Sequence, residues 1–209
     1  MLDCGANAVA EPSHLAQFAV MGSVYAHGIL GQAKPRVGVL SNGTEESKGN
    51  DLTKATAKLC AQLDLNFMGY CEGFDLFNDG VDVVVCDGFV GNIVLKSCES
   101  LSKTIGRLLG KEIKANPLRM AGGALAGGAF KALKQRLDPE VYGGAVLLGL
   151  NGIVVKAHGS SRVRAFASAI RVAAEEIKHG INQTISRQIA RANERLAAVE
   201  TVVPPPVNA

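Results

Sequence analysis

Apolar and polar residues alternate along the chain in a pattern that predicts strands followed by helices. Short apolar runs of the kind found in buried parallel strands lie at 36–40, 66–70 and 83–86. Helix-start residues at Glu11 and Pro12 precede apolar residues at helical spacing. The predicted buried face of this helix consists of Leu15, Phe18, Ala19, Gly22 and Ala26. Strands that alternate with helices indicate an α/β fold, with a mostly parallel open sheet and helices on both faces.

The same reasoning extends the pattern towards the end of the chain. Further helices are predicted at about 51–62, 91–109 and 163–179. Two later apolar runs, at 145–148 and 153–155, are separated by an Asn-Gly turn. We expect these two runs to be strands that return to the same sheet.

The pattern degenerates within residues 101–137. Pro117 is expected to break a helix, and four glycines between 120 and 130 weaken any helix there. Eight basic residues and one acidic residue occupy 101–137, in a chain whose formal charge is only +3. We therefore predict a basic amphipathic excursion at 101–137, inserted into one α/β domain of residues 1–200. The Pro-rich residues 201–209 are predicted to form a disordered tail.

Composition narrows the class of protein. The 209 residues are 47% hydrophobic and 20% charged, which is typical of an ordinary folded protein. The five cysteines have no metal-ligand spacing, so we expect reduced thiols in the cytosol and no metal site. The absence of Trp and the few aromatic residues argue against a nucleic-acid partner. We expect no signal peptide, and the sequence has no apolar run of the roughly 18 residues that cross a bilayer.

The stretch VVVCDGFVGNIVLK, at 83–96, is the feature around which the other elements are arranged. An apolar run stops at Asp-Gly, and an apolar-periodic segment begins after Gly-Asn. This pattern is typical of a parallel strand that ends in a tight loop at the start of a helix. Ligands of open α/β sheets bind at the carboxyl ends of strands, and N–H groups at a helix start favour anions. Residues 87–92 are therefore predicted to line part of an active site.

Six stretches of the sequence occur together in an order that a known family shares. They are LDCGAN at 2–7, QFAVMGSVYA at 17–26, EESKGN at 45–50, VVVCDGFVGNIVLK at 83–96, YGGAVLLGLNG at 142–152 and KAHGSS at 156–161. Together they resemble the PlsX-type phosphate acyltransferases over nearly the whole chain. The resemblance implies an α/β sheet related to those of isopropylmalate dehydrogenases and phosphotransacetylases, in a homodimer.

The resemblance also implies a reaction and its partners. A fatty acyl group would pass from acyl carrier protein to inorganic phosphate, giving acyl-phosphate for phospholipid synthesis. Phosphate is already an anionic oxygen nucleophile, so neither a covalent Ser or Cys intermediate nor a cofactor is required. A cradle of donors that binds phosphate and stabilises the tetrahedral oxyanion would supply most of the catalysis. The implied partners are the carrier protein, a second copy, the membrane surface and the membrane glycerol-3-phosphate acyltransferase.

Two loops contain the catalytic residues that the resemblance implies. Asn92 can donate to phosphate or to the thioester oxygen, Lys156 offers positive charge, and His158 offers a switchable donor or acid. Ser160 and Ser161 would bind substrate through hydroxyl donors at a helix start. The alternative is that these two serines only cap the helix and that His158 is an ordinary structural histidine.

Three further residues of 87–92 and three charged side chains are predicted to bind substrate. Gly88 and Gly91 would let the backbone approach the ligand, whereas Asp87 either contacts substrate or caps the helix. The charged side chains are Lys96, Glu45 and Lys48. Lys96 lies one turn after Asn92 and either reaches the crevice or is solvated. The other two are either a functional charge pair or a surface pair of little energetic value.

Three interpretations of the basic excursion remain open. Adsorption to anionic lipid would use its Lys and Arg at about 1 kcal/mol each. The apolar side chains that would insert are Leu118, Met120, Leu125 and Phe130. The other interpretations are a surface for the acidic carrier protein and a solvated hairpin at a dimer interface. We favour membrane contact, which places a cytoplasmic protein at the inner face of the cell membrane, because acyl-phosphate is best released beside a membrane enzyme.

The chain is shorter than members of the family, which have further stretches ahead of the position of Met1. We therefore expect residues upstream of Met1 to belong to the complete protein. Two rival functions follow from the residues and from this difference in length. One is a phosphate acetyl- or butyryltransferase that uses CoA, and the other is a non-catalytic dimerising or membrane-docking fragment.

Overall fold

A computed structural model describes residues 1–136, 144–157 and 163–202, with side chains as far as 198. The helices are α1 Pro12–Gly28, α2 Asp51–Cys60, α3 Gly88–Ile113, α4 Pro117–Leu125, α5 Gly127–Arg136, α6 Val163–His179 and α7 Ile181–Val202. The strands are β1 Arg36–Leu40, β2 Asn66–Cys71, β3 Val83–Val85, β4 Ala145–Val146 and β5 Val155–Lys156, and a short 3-10 helix lies at Gly73–Phe77.

The chain divides into two compact units. The described residues of the first unit lie within Met1–Asn92, Leu148–Ile153 and the segment from Glu175 onward. Those of the second unit lie within Ile93–Leu147 and Val154–Ala174. The described part of the basic excursion, 101–136, therefore belongs wholly to the second unit.

The first unit contains a parallel sheet with strand order β2, β1, β3. Val37 of the central strand is opposite Phe67 on one side and Val83 on the other. Leu2 extends the sheet beyond β3 through an isolated parallel bridge to Val85. Helices flank this sheet, so the predicted α/β fold with a parallel open sheet is confirmed. Because the strands are parallel, the segments that follow Leu2, β1 and β3 leave the sheet at the same edge, called the carboxyl edge below.

The core of the first unit lies between α1, the sheet and α7. The predicted buried face of α1 is confirmed, since Leu15 and Ala19 have no exposed surface and the rest of that face is also buried. Ile181 and Ile185 of α7 pack into the same cluster. Each such large side chain contributes about 2 kcal/mol through burial, so α1 is held firmly against the strands that position the carboxyl edge.

The basic excursion is helical, and it is interrupted before Pro117 as expected. Helix α3 ends at Ile113, and Pro117 is the first residue of α4, where its missing N–H would have no helical partner. The side chain of Asn116 caps this helix by accepting a hydrogen bond from the Arg119 amide at 2.8 Å. None of the helices in the described ranges is long and apolar enough to span a membrane.

The expected return of 145–148 and 153–155 to the main sheet is also wrong. Strands β4 and β5 form a separate antiparallel pair, in which Ala145 is opposite Lys156. The two segments are short and close in sequence, so they pair most readily with each other. Lys156, expected in a loop, is consequently the last residue of a strand.

Candidate functional site

The first turn of α3 follows β3 after only Cys86 and Asp87. Asp87 Oδ1 accepts a hydrogen bond from the Val90 amide at 2.8 Å, which is the geometry of a helix cap. Of the two roles considered for Asp87, capping is the one for which the structure shows a contact. The cap fixes the angle at which the chain enters α3 from the sheet.

The loop Asp3–Asn7 lies at the same edge of the sheet, and its backbone amides donate hydrogen bonds to the carboxylate of Asp3. Asp3 is only 6% exposed. Its Oδ1 accepts hydrogen bonds from the amides of Gly5 at 2.8 Å and Ala6 at 3.0 Å, and its Oδ2 accepts one from Asn7 at 2.6 Å. Hydrogen bonds to an ionised acceptor are roughly twice as strong as neutral ones, so they compensate the burial of the charge.

The Asp3–Asn7 loop and the first turn of α3 are in direct contact through their backbones. The Gly88 amide donates to the Asn7 carbonyl at 2.8 Å, and the Asp3 amide donates to the Cys86 carbonyl at 2.8 Å. A Cβ atom on Gly88 would lie 2.7 Å from the Asn7 carbonyl oxygen, and one on Gly91 would overlap that of Asp3. Gly88 and Gly91 are buried, and here they allow close approach of protein backbone to protein backbone.

Asn92 lies at the exposed rim of this contact. A Cβ atom on Gly5, whose φ is +123°, would lie 3.3 Å from Asn92 Cβ and 3.4 Å from Asn92 Oδ1. Asn92 itself is exposed. The structure thus places an accessible amide next to a loop whose backbone is fixed, which is the arrangement that a hydrogen-bond donor to an oxyanion needs.

Two cysteines lie at these segments, Cys4 within the Asp3–Asn7 loop and Cys86 just before Asp87, and desolvation raises the pKa of both thiols. Cys86 is the more buried of the two. Its thiol is buried, with Sγ 3.5 Å from the Asp3 carbonyl oxygen. Burial raises the pKa of Cys86 to about 12. Because the thiolate is the reactive form, this residue stays protonated and cannot act as an acyl carrier near neutral pH.

Glu45 and Lys48 lie in the segment after β1, at the carboxyl edge. The Lys48 amide donates to the Glu45 carbonyl at 2.9 Å, which closes a turn. Both side chains are exposed, and the ion pairs found among the described residues do not join them. The turn places both charges in solvent, and a role in substrate binding stays a prediction.

Two further predicted site residues, Lys96 and Lys156, belong to the second unit. The Lys96 side chain is 54% exposed, and its ammonium group lies 3.1 Å from Glu99 on the same helix. Lys156 is exposed at the end of β5. His158, Ser160 and Ser161 lie outside the described residues. No group of three or more His, Cys, Asp or Glu side chains in the described ranges is arranged to hold a metal ion.

The four predicted membrane-contact residues differ in exposure. Leu118 and Leu125 of α4 are 84% and 91% exposed, and Met120 is 53% exposed. Phe130 of α5 is half-buried and lines a shallow groove together with Ile113. The two leucines are therefore the side chains best placed to leave water for an apolar environment.

Sequence reasoning missed the role of Asp3 and Gly5. The stretch LDCGAN was recognised, but none of its residues was predicted to belong to the site. A usable signal was present, because an Asp followed by small residues can wrap the backbone around its own carboxylate. What the sequence does not reveal is that this carboxylate is buried next to Gly88 and Gly91.

Comparison with known proteins identifies the class of this α/β protein. The model of a family described as "Fatty acid synthesis protein" matches residues 1–184. The chain belongs to this family, which confirms the resemblance to PlsX-type phosphate acyltransferases.

Its relatives include proteins named phosphate acyltransferase. That of Syntrophotalea carbinolica is 49% identical over 94% of this chain and 57% of the relative. That of Geobacter sulfurreducens is 46% identical over 90% and 55%, and that of Campylobacter concisus 46% over 91% and 57%. The chain thus spans little more than half the length of the curated relatives it matches.

Proposed function

We propose that this chain contains part of an acyltransfer site that moves a fatty acyl group from acyl carrier protein to inorganic phosphate. Family membership and relatives named phosphate acyltransferase support the reaction class. The observation that favours a site at the carboxyl edge is the accessible Asn92 amide beside the backbone-fixed Asp3–Asn7 loop.

The proposed reaction needs no covalent enzyme intermediate. A phosphate oxygen attacks the thioester carbonyl carbon and a C–O bond forms. The C–S bond then breaks, and the sulfur leaves as a thiolate that takes up one proton. The raised pKa values of Cys4 and Cys86 support this direct route, because the thiolate is the reactive form of a cysteine.

Asn92 is proposed to donate its side-chain N–H to the phosphate or to the oxyanion that develops on the thioester carbonyl. A donor held in place before the reaction stabilises the transition state more than it stabilises the substrate. The proposed contributions of Lys156 as a positive charge and His158 as an acid rest on the sequence resemblance. Asp87 is proposed to act through the helix cap that orients the first turn of α3.

The test compares acyl-phosphate formation by the wild type, Asn92→Ala and Asn66→Ala. Asn66 is the matched control because it is an amide residue at the amino end of β2, where it donates to the Lys34 carbonyl at 3.1 Å. We expect Asn92→Ala to lower kcat/KM for phosphate by about a hundredfold, and Asn66→Ala to leave it within about twofold. Equal activity of Asn92→Ala and wild type would contradict the proposal.

Two other functions are distinguished by the same assay. The second candidate is a non-catalytic docking protein, which the highly exposed Leu118 and Leu125 of α4 favour. That candidate is supported if the wild type forms no acyl-phosphate from either acyl carrier protein or CoA thioesters. Faster transfer from acetyl- or butyryl-CoA than from long-chain acyl carrier protein would instead indicate a CoA-dependent enzyme.

We also propose that the basic excursion contacts the anionic inner face of the cell membrane. All eight basic residues between 101 and 136 are exposed, and two highly exposed leucines lie among them. Lys and Arg near an anionic surface contribute about 1 kcal/mol each, and shallow insertion of apolar side chains adds to this. The combination of charge and exposed leucine supports lipid over a purely solvated hairpin.

Vesicle binding tests the membrane proposal. We expect Leu125→Glu to weaken binding to vesicles that contain anionic lipid by about tenfold or more. The control is Phe74→Glu, which changes an equally apolar side chain, 77% exposed, in the first unit. Equal loss in both variants would contradict the proposal. If vesicle binding is absent but the acyl carrier protein or a second copy of the chain binds, that partner occupies the surface.

A further inference from the structure

We propose that Asp3 is a positioning residue, whose buried carboxylate holds the Gly5–Asn7 backbone against the first turn of α3 and thereby fixes Asn92. The kinetic part of this inference rests on the proposed function of Asn92, and the structural part does not. Asp3 acts through other residues and does not itself contact substrate.

The carboxylate of Asp3 is used entirely for the chain's own backbone. Its two oxygens accept hydrogen bonds from three amides, those of Gly5, Ala6 and Asn7, with Oδ2 only 2.6 Å from the Asn7 nitrogen. No ion pair among the described residues includes Asp3. A buried charge of this kind is stable only while those amides remain aimed at it, so the loop conformation and the carboxylate depend on each other.

A continuous set of contacts leads from this carboxylate to Asn92. Oδ2 of Asp3 lies where a Cβ atom on Gly88 would approach to 2.8 Å. The same oxygen accepts a hydrogen bond from the Asn7 amide, and the Asn7 carbonyl in turn accepts one from the Gly88 amide at 2.8 Å. Gly5, the other end of the loop, is the residue that lies against the Asn92 side chain. If the Asp3 carboxylate no longer holds the loop, Gly5 and Asn7, which contact the first turn of α3, should both become more mobile.

Asp82 provides a matched control at the amino end of β3. It also accepts three hydrogen bonds, from Arg36 N at 2.8 Å, Nε at 2.9 Å and Nη2 at 3.0 Å. Its side chain is 14% exposed. Asp82→Asn should therefore reduce overall stability in the same way as a change at Asp3, without touching the carboxyl edge.

Asp3→Asn keeps the shape of the side chain but places either an amide nitrogen or a reoriented oxygen opposite backbone donors. We expect amide hydrogen exchange at Asn7 and Gly88 to become about tenfold faster in Asp3→Asn than in Asp82→Asn. In the acyltransfer assay, we expect Asp3→Asn to lower kcat/KM for phosphate. In a double-mutant cycle its effect should largely disappear when Asn92 is already Ala, because both changes remove the same interaction.

Each outcome decides one part of the inference. Exchange at Asn7 and Gly88 that is as slow in Asp3→Asn as in Asp82→Asn overturns the structural part. Effects of Asp3→Asn and Asn92→Ala that multiply overturn the route through Asn92. A wild type that forms no acyl-phosphate overturns the proposed function, while the exchange measurement still decides whether Asp3 holds the loop. If Asp3→Asn does not fold, Asp3→Glu, which keeps the charge but moves it by one methylene, is measured in its place.

Discussion

The two parts of helix α3 are built in different ways. All residues of α3 are described, and its two buried residues are Gly88 and Gly91. Both lie in the first turn and face the Asp3–Asn7 loop. Large apolar side chains are exposed along the whole helix, as in Phe89 at 61%, Leu101 at 60% and Ile105 at 55%, but from Ile93 onward no residue of α3 is buried. The first turn packs its backbone against another backbone segment, whereas the later part makes side-chain contacts, such as that of Ile113 with Gly123.

We propose that this difference separates two kinds of function on one helix. A hydrogen-bond donor for catalysis must be held precisely, and the proposed donor Asn92 directly follows the buried Gly91. A surface for lipid or another protein needs exposed apolar and charged side chains, and the later turns and α4 contain both.

Cysteine reactivity should show the division most strongly. Cys86, just before the first turn, is buried with a pKa raised to about 12 by desolvation, whereas Cys98 on the later part of α3 is partly exposed. We expect a thiol reagent at pH 8 to modify Cys98 at least about a hundredfold faster than Cys86 in the native protein. Mass spectrometry of the labelled peptides measures both rates. Similar rates would show that the first turn is open to solvent.

Glycine substitutions on the two parts of α3 should have opposite effects on stability. Gly91→Ala places a methyl group into the Asp3 carbonyl, and we expect a loss of about 3 kcal/mol in the free energy of unfolding. Gly106→Ala meets no atom within 4 Å and should stabilise the helix by about 0.5–1 kcal/mol. Urea unfolding measures both changes. If Gly91→Ala changed the free energy of unfolding only slightly, the first turn of α3 would not be packed against the Asp3–Asn7 loop as described.

Glu176 is a second buried carboxyl group of the first unit, and in the described ranges it has no backbone donors like those around Asp3. Glu176 of α6 is 1% exposed, and neither oxygen has a hydrogen-bond partner among the described residues. Burial raises the pKa of Glu176 above its ordinary value of 4.5. The folded protein therefore keeps a proton that the unfolded chain releases, so this stability is present below about pH 4.5 and lost as pH rises through the folded pKa.

Glu176→Gln should remove this pH-dependent loss. We expect the variant to gain about 1 kcal/mol over the wild type near neutral pH and little near pH 4. Unfolding free energies measured across this pH range test the expectation. Glu175→Gln is the control, because the Glu175 side chain is 47% exposed and pairs with Lys178 and, when the imidazole is protonated, with His179. Parallel pH profiles for wild type and Glu176→Gln would show that the carboxylate has a partner.

The sequence alone was sufficient for the elements that follow simple periodicity. The buried face of α1, the bounds of β1 and the strand at 83–85 were predicted because apolar spacing reflects burial directly. The sequence was insufficient where the outcome depends on a contact distant in sequence. Helix α3 was predicted to begin at about 91 after a loop, but it begins at Gly88, and residues 88–92 are its first turn. Asp3 could not be identified as buried, since its burial depends on residues 88–91.

Helix formation in the excursion shows a second limit. The glycines of α4 suggested a weak helix, but Asn116 and Pro117 together provide a strong start. Gly123 packs so closely against Ile113 that a Cβ atom on Gly123 would lie 2.5 Å from Ile113 Cγ2. Local propensity is a weak guide when a cap and a tertiary contact act on the same segment.

We propose above all that the Asp3–Asn7 loop and the first turn of α3 together form part of a site for inorganic phosphate. Titration of the isotope-labelled protein with phosphate, followed by the chemical shifts of backbone amides, tests this without requiring turnover. We expect saturable shifts confined to residues 5–7 and 88–92, lost in Asn92→Ala, with Arg36 and Asp82 at the amino edge unchanged. Equal, non-saturating shifts at both edges of the sheet would contradict it.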